Sequence, residues 1–127
     1  MAEPDSYEIS ALCYAVRTNR KHHENFIGSV WTDPMHDQDE PIAYYVWALT
    51  NANRTVVVDT GFDKAEWSRR TESSAGIWQC EYDLSPAEGL AGIGIDSRQV
   101  QDVIVTHLHY DHAGSSVSYT HLRAHET

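Results

Sequence analysis

The segment His107-Leu108-His109-Tyr110-Asp111-His112-Ala113-Gly114 places three imidazoles and a carboxylate within six positions, directly behind the apolar run Val103-Ile104-Val105-Thr106. β-Branched apolar residues suit a pleated surface, so residues 103–106 read as a short strand buried on both faces. On a helix, at about 100° per residue, His107 and His109 would stand roughly 200° apart and could not share an ion. On an extended chain side chains alternate, and His107, His109 and Asp111 would project from one side. The motif therefore belongs at a strand end running into a loop, and it demands a sheet for that strand to join.

Neutral imidazole is the commonest metal ligand, and a carboxylate suits Zn²⁺, Mn²⁺ or Fe²⁺. His107 and His109 can hold one ion, while the adjacent Asp111 and His112 point elsewhere and can hold a second. Two cations about 3.5–4 Å apart can share a hydroxide and make it available at neutral pH. A surface histidine cluster without metal is the alternative. The ordered His-x-His-x-Asp-His spacing, the strand before it and the Ala-Gly after it argue for metal. Upstream, Val56-Val57-Val58-Asp59-Thr60-Gly61 reads as a second strand entering a turn. Asp59 there could accept a ring N–H from a ligand histidine and fix its tautomer. Otherwise it bonds its own turn backbone, helped by Gly61.

Residues His107–Gly114, with the Asp59-Thr60-Gly61 turn, resemble the metal motif of the metallo-β-lactamase fold superfamily. Three blocks and their spacing are similar to the N-acyl homoserine lactonase family: Tyr44-Tyr45-Val46-Trp47-Ala48-Leu49, Arg54 through Asp63, and Thr106 through Gly114. Ser115 departs from that pattern, which usually carries Asn or Gly there. The resemblance implies an α/β (α+β) fold class, the N-terminal half of an αββα sandwich. It implies that His107 and His109 bind a first metal, Asp111 and His112 a second, and that Asp59 supports a ligand from behind. Two divalent ions follow, Zn²⁺ first and Fe, Mn or Co next. A segment beyond this chain would carry the remaining histidines and a bridging carboxylate.

The implied chemistry is hydrolysis of an acyl lactone or related ester, a quorum-quenching type of reaction. A metal-bridging hydroxide opens the ring and Asp111 orients it. A thioesterase of the glyoxalase II type uses the same motif on another acyl compound. A metal-binding module without catalysis is the third reading. A flavodiiron oxidoreductase is disfavoured, because that resemblance expects an acid where this chain has His109.

The last residues read differently. Val117 through Thr127 is similar, residue for residue, to one translated frame of a transposase adapter used in sequencing libraries. The expected organisation is therefore a metallo-β-lactamase-like part over 1–116 and a foreign tail over 117–127, excluded from fold reasoning. The alternative is a native helix with His121 and His125 at i, i+4. On the adapter reading the chain ends soon after the first metal motif, and by itself is expected to be inactive.

A length of 127 residues allows no more than one ordinary domain, and 41% hydrophobic content fits a globular fold. The formal net charge of −10 opposes nucleic acid as a partner, and Arg123 and Glu126 of the tail cancel. No run approaches the roughly 20 apolar residues of a membrane helix, and no signal segment opens the chain. Cys13 and Cys80 read as two lone thiols of a cytoplasmic protein.

Residues 7–16 alternate loosely and read as a strand, while 42–50 and 54–60 form a hairpin through Asn51-Ala52-Asn53. A short helix is expected over 63–70. A second is capped by Ser85-Pro86-Ala87-Glu88 and ends near Gly92 or Gly94, and a helical or turn connection is expected over 96–101. Residues 18–41 read as a long loop, a type of segment that is often functional. Its Phe26, Trp31 and Met35 are candidates to hold an acyl chain over the metals, or else to cover the hairpin as core. The run His36-Asp37-Gln38-Asp39-Glu40 reads as a solvated face, too local for a metal site. Tyr110 reads as a packing residue.

Overall fold

The structure is a computed structural model that describes residues 6–122. The first strand, β1 (Glu8–Arg17), pairs antiparallel with β2 (Ile42–Thr50). Its register slips between Cys13 and Ala15, leaving Tyr14 as the extra residue of a bulge. A bulge breaks the period of two. Tyr14 and Ala15 are therefore both buried, and the alternation of this strand looks loose in the sequence.

Between β1 and β2 lies the long loop, which contains one helical turn, α1 (His22–Asn25), and an isolated bridge of Lys21 with Asp39. Strand β2 then turns through Asn51-Ala52-Asn53 into β3 (Thr55–Val58). Asn51 Oδ1 accepts the Asn53 N–H at 2.9 Å, a side-chain bond that tightens the turn.

Helix α2 (Lys64–Ser73) starts where Asp63 accepts the Glu66 N–H at 2.9 Å. A three-residue strand, β4 (Cys80–Tyr82), was not apparent in the sequence, and it pairs with the end of β1. Helix α3 (Pro86–Gly92) carries the expected Ser85 cap, with Ser85 Oγ accepting from Glu88 N at 3.2 Å. A 3₁₀ turn (Ser97–Gln99) leads into β5 (Asp102–Ile104), which joins β3 in parallel. The sheet order is β4-β1-β2-β3-β5.

Strand β5 differs from expectation. Among the described residues it is an edge strand with β3 as its single neighbour, and Ile104 is 53% exposed rather than buried on both faces. One partner covers one edge only, so its β-branched residues are half open to solvent. The opposite outcome holds inside: Tyr14, Tyr44, Val46, Phe62 and Trp78 form one core cluster, and Ala48, Val57, Leu90, Val100 and Tyr119 a second. Phe62 receives Tyr14 and Tyr44 edge-on, at 5.3 Å and 5.5 Å between ring centroids. Cys13 and Cys80 are both free, and burial pushes the Cys80 thiol up to about 11. Among the described residues, no helix is long and apolar enough to cross a membrane.

Glu66 binds Arg69 (2.6 and 2.9 Å) and Arg70 (2.7 Å) along one face of α2. The Arg69 guanidinium, then Arg70, holds its carboxyl down at about 2, against an ordinary 4.5. A depressed folded-state value stabilises at pH above the unfolded value. That contribution is lost as pH falls from 4.5 toward 2. Glu66→Gln is expected to cost about 0.5–1 kcal/mol at neutral pH, the scale of helical surface pairs. Urea unfolding should show the gap between variant and parent narrowing as pH drops through that window.

Candidate metal centre

The chain leaves β5 after Ile104, bends at Thr106 and again at His109, and the His109 backbone itself is β-like. Tyr110 then opens a single helical turn, α4 (Tyr110–Ala113), closed by Ala113 N–H to His109 O and Gly114 N–H to Tyr110 O, both 2.9 Å. His107 and His109 therefore lie on the irregular segment between β5 and α4. Asp111 does not share it, because it sits beside His112 on the helical turn.

The motif is docked on the Asp59-Thr60-Gly61 turn by backbone hydrogen bonds. Asp59 N donates to Ile104 O at 2.7 Å, Thr60 N to His112 O at 2.7 Å, and Ser115 N to Gly61 O at 2.8 Å. Asp59 adopts φ +64°, a left-handed conformation that Asp tolerates better than most residues, and its side chain is enclosed. Its Oδ1 accepts the Thr106 N–H at 2.8 Å and the Thr106 hydroxyl at 2.9 Å. Its Oδ2 lies 2.7 Å from His112 Nδ1. Burial by itself would raise the Asp59 carboxyl, yet the Thr106 N–H, the His112 ring and the Thr106 hydroxyl together hold it below its usual value.

An ionised Asp59 assigns the His112 proton to Nδ1 and leaves Nε2 as the lone-pair nitrogen, 3.4 Å from Asp111 Oδ2. The His107 ring lies 3.8 Å from that of His112 and 4.7 Å from that of His109, centroid to centroid. These rings pack against one another rather than aiming nitrogens at one point. His107 and His109 are both exposed to solvent, and the rings they pack against are the other imidazoles of the motif. Three imidazoles and a carboxylate, one imidazole already oriented by a carboxylate behind it, are a donor set that fits divalent ions.

Residues that the sequence did not single out hold this arrangement from below. The Tyr14 hydroxyl, aimed inward by the β1 bulge, donates to the Asp111 carbonyl at 3.1 Å. Burial raises the Tyr14 hydroxyl far above the ordinary tyrosine value, so it stays a donor across physiological pH. Thr60 and Thr106 tie turn and motif together. Their position beside Asp59 and His107 was the one hint the sequence offered. Tyr110 packs on Phe62 at 5.3 Å between centroids, with the Arg70 guanidinium 3.4 Å from its ring centre.

The structure does not gather Phe26, Trp31 and Met35 beneath the hairpin. All three are exposed, Trp31 at 83%, so the reading of these residues as core is overturned. The loop turns on its own hydrogen bonds and leaves its apolar side chains outward. At the other end, Ser116–Tyr119 form a 3₁₀ turn, Tyr119 is buried in the second core cluster, and His121 Nε2 lies 2.7 Å from Val100 O. His125 lies outside the described residues.

The profile of the metallo-beta-lactamase superfamily matches residues 39–122. The chain belongs to that superfamily, whose members bind divalent metal and include hydrolases. Solved structures agree on the fold. An N-acyl homoserine lactone hydrolase, solved with the product N-hexanoyl-L-homoserine at its catalytic metal center, superposes with a TM-score of 0.62 at 15% identity, covering 90% of this chain and 45% of that one. A quorum-quenching N-acyl homoserine lactone lactonase gives 0.65 at 16% identity, covering 94% and 45%. A probable metal-dependent hydrolase from Staphylococcus aureus gives 0.57 at 13%, covering 87% and 41%. The chain thus spans under half the length of each, matching the N-terminal part of the fold. No curated protein matches the sequence significantly.

Proposed function

We propose that the whole protein is a dinuclear metallohydrolase that opens acyl lactone rings. The bond between His112 Nδ1 and Asp59 Oδ2, 2.7 Å long, carries this reading, because it leaves the opposite ring nitrogen ready to ligate on the exposed side. His107 and His109 would hold one ion, and Asp111 and His112 the other. When bound, such ions lower the pKa of a coordinated water to about 7 and polarise a scissile carbonyl. Asp111 accepts a hydrogen bond from the attacking water and orients it. Tyr14 fixes the backbone of Asp111, and Asp59 keeps His112 in one tautomer.

Phe26, Trp31 and Met35 offer an acyl chain an apolar surface. The likeness of the three sequence blocks to lactonases supports the lactone over a thioester, as does the neighbour in fold that carries the product N-hexanoyl-L-homoserine. The deciding experiment compares hydrolysis of an acyl homoserine lactone, an acyl thioester and a β-lactam by the complete protein at one metal loading. Fastest turnover of the lactone, with a preference among acyl lengths that Trp31→Ala flattens, supports the assignment. Faster thioester cleavage moves it to the glyoxalase II type. The translated-adapter likeness supports reading residues 117–127 as a foreign tail, and sequencing the source DNA across the Ser116 codon tests it.

A further inference from the structure

The long β1–β2 loop folds back on itself in register. His22 N donates to Gln38 O at 2.8 Å, His23 N donates to His36 O at 3.1 Å, and Lys21 bridges Asp39. This pairing sets His23, from α1, directly across from His36, which the sequence keeps 13 residues away, and its neighbour Asp37. The His36–Glu40 run read as a merely solvated face, because nothing local shows that a second histidine arrives opposite it.

One ligand atom from each of His23, His36 and Asp37 lies within 4.8 Å of the other two, and among the described residues this is the one such set. The two imidazoles stack, 4.3 Å apart and 14° from parallel, so their lone pairs run side by side and, as at the His107–His112 motif, a ring turns to meet a shared ion. His23 Nδ1 is 2.9 Å from the His36 carbonyl. A ring N–H given to a backbone carbonyl is the usual way a ligating histidine is oriented, and it leaves Nε2 as the lone-pair nitrogen. His36 Nδ1 is buried without a hydrogen-bond partner. Its Nε2 is 3.9 Å from Asp37 Oδ1, too far for a hydrogen bond. Nε2, the nitrogen that faces the exposed Asp37 carboxylate without reaching it, is the one that an ion between them would engage. His22 is spoken for, since its Nδ1 lies 3.1 Å from Glu40 and its Nε2 3.6 Å from Asp33.

We propose that His23, His36 and Asp37 form a second divalent-metal site, separate from the His107–His112 motif. The donor set suits a borderline ion of the Zn²⁺ class, with water completing its coordination. The ion cross-links the two arms of the loop at its base and so restricts the segment that presents Phe26, Trp31 and Met35. Closing the loop in the folded state with an added tie lowers its freedom without new side-chain packing. This site stands whether or not the whole protein is a lactonase, because it rests on the loop alone.

The test uses Zn²⁺ on the full chain bearing H107A, H109A, D111A and H112A, with circular dichroism to verify folding. Equilibrium dialysis should give one Zn²⁺ per chain, lost on adding H36A or H23A and kept on adding H22A. No bound Zn²⁺ in the folded background, or Zn²⁺ retained after H23A and H36A together, overturns the proposal. Independently of whether that background folds, side-chain ¹⁵N spectra of the unsubstituted chain report each imidazole separately. The His23 and His36 ring nitrogens should shift with a common Zn²⁺ midpoint, whereas resonances unmoved by saturating Zn²⁺ overturn it.

Discussion

Replacing His107 or Asp111 by alanine in the complete protein is expected to cost at least about 100-fold in lactone turnover, since even groups behind a metal ligand cost 10–100-fold. His107 is exposed and its ring lies 3.8 Å from that of His112, so its loss opens no core cavity and the fold should survive. The carboxylate of Asp111 is 3.4 Å from His112 Nε2, while its backbone carbonyl takes the Tyr14 hydroxyl at 3.1 Å. Asp111→Ala thus removes the carboxylate and leaves the Tyr14 anchor in place. Metal content measured alongside turnover should fall with it. Undiminished turnover at full metal content in either variant would remove these residues from the mechanism.

Gly61→Ala is the second large effect, this time on stability. A Cβ there would stand 2.8 Å from Pro86 Cγ and 2.8 Å from Tyr14 Cζ, at φ +66°. Tyr14 is wedged between Tyr44 and Phe62, so it cannot yield cheaply. Crowding of this kind costs about 1–3 kcal/mol, and a left-handed non-glycine residue costs roughly 1–2 kcal/mol more. Gly76→Ala separates the two terms. Its φ is +85°, but nothing lies within 4 Å of the added carbon. Urea denaturation should show Gly61→Ala losing clearly more stability than Gly76→Ala. Equal losses would mean that the close approach of β1 and α3 to the turn does not constrain it.

The hairpin and the Ser85 cap were legible because each is a local pattern: two β-rich runs around Asn51-Ala52-Asn53, and Ser-Pro-x-Glu ahead of Leu90. Strand β4 was not, since Cys80–Tyr82 is three residues long and exists through its pairing with Ala15–Arg17. The Tyr14 bulge hid in the loose alternation of β1 for a related reason: a bulge is defined by the register of the partner strand. At the metal motif, residue types and spacing were local and readable. The split between a bent, non-helical His107–His109 segment and a helical Asp111–His112 turn depended on docking against Asp59, Thr60 and Gly61, which are distant in sequence. The juxtaposition of His23 with His36 is the extreme case, made wholly by how the loop folds.

The proposed lactone hydrolysis depends on metal whose ligands begin with His107, His109, Asp111 and His112. The most direct measurement is turnover of an acyl homoserine lactone by the complete protein before chelation, after it, and after stepwise return of Zn²⁺. Turnover that falls to the uncatalysed rate and recovers in proportion to the metal restored is the predicted result. Lactone opening that continues at its original rate in metal-free protein would contradict it.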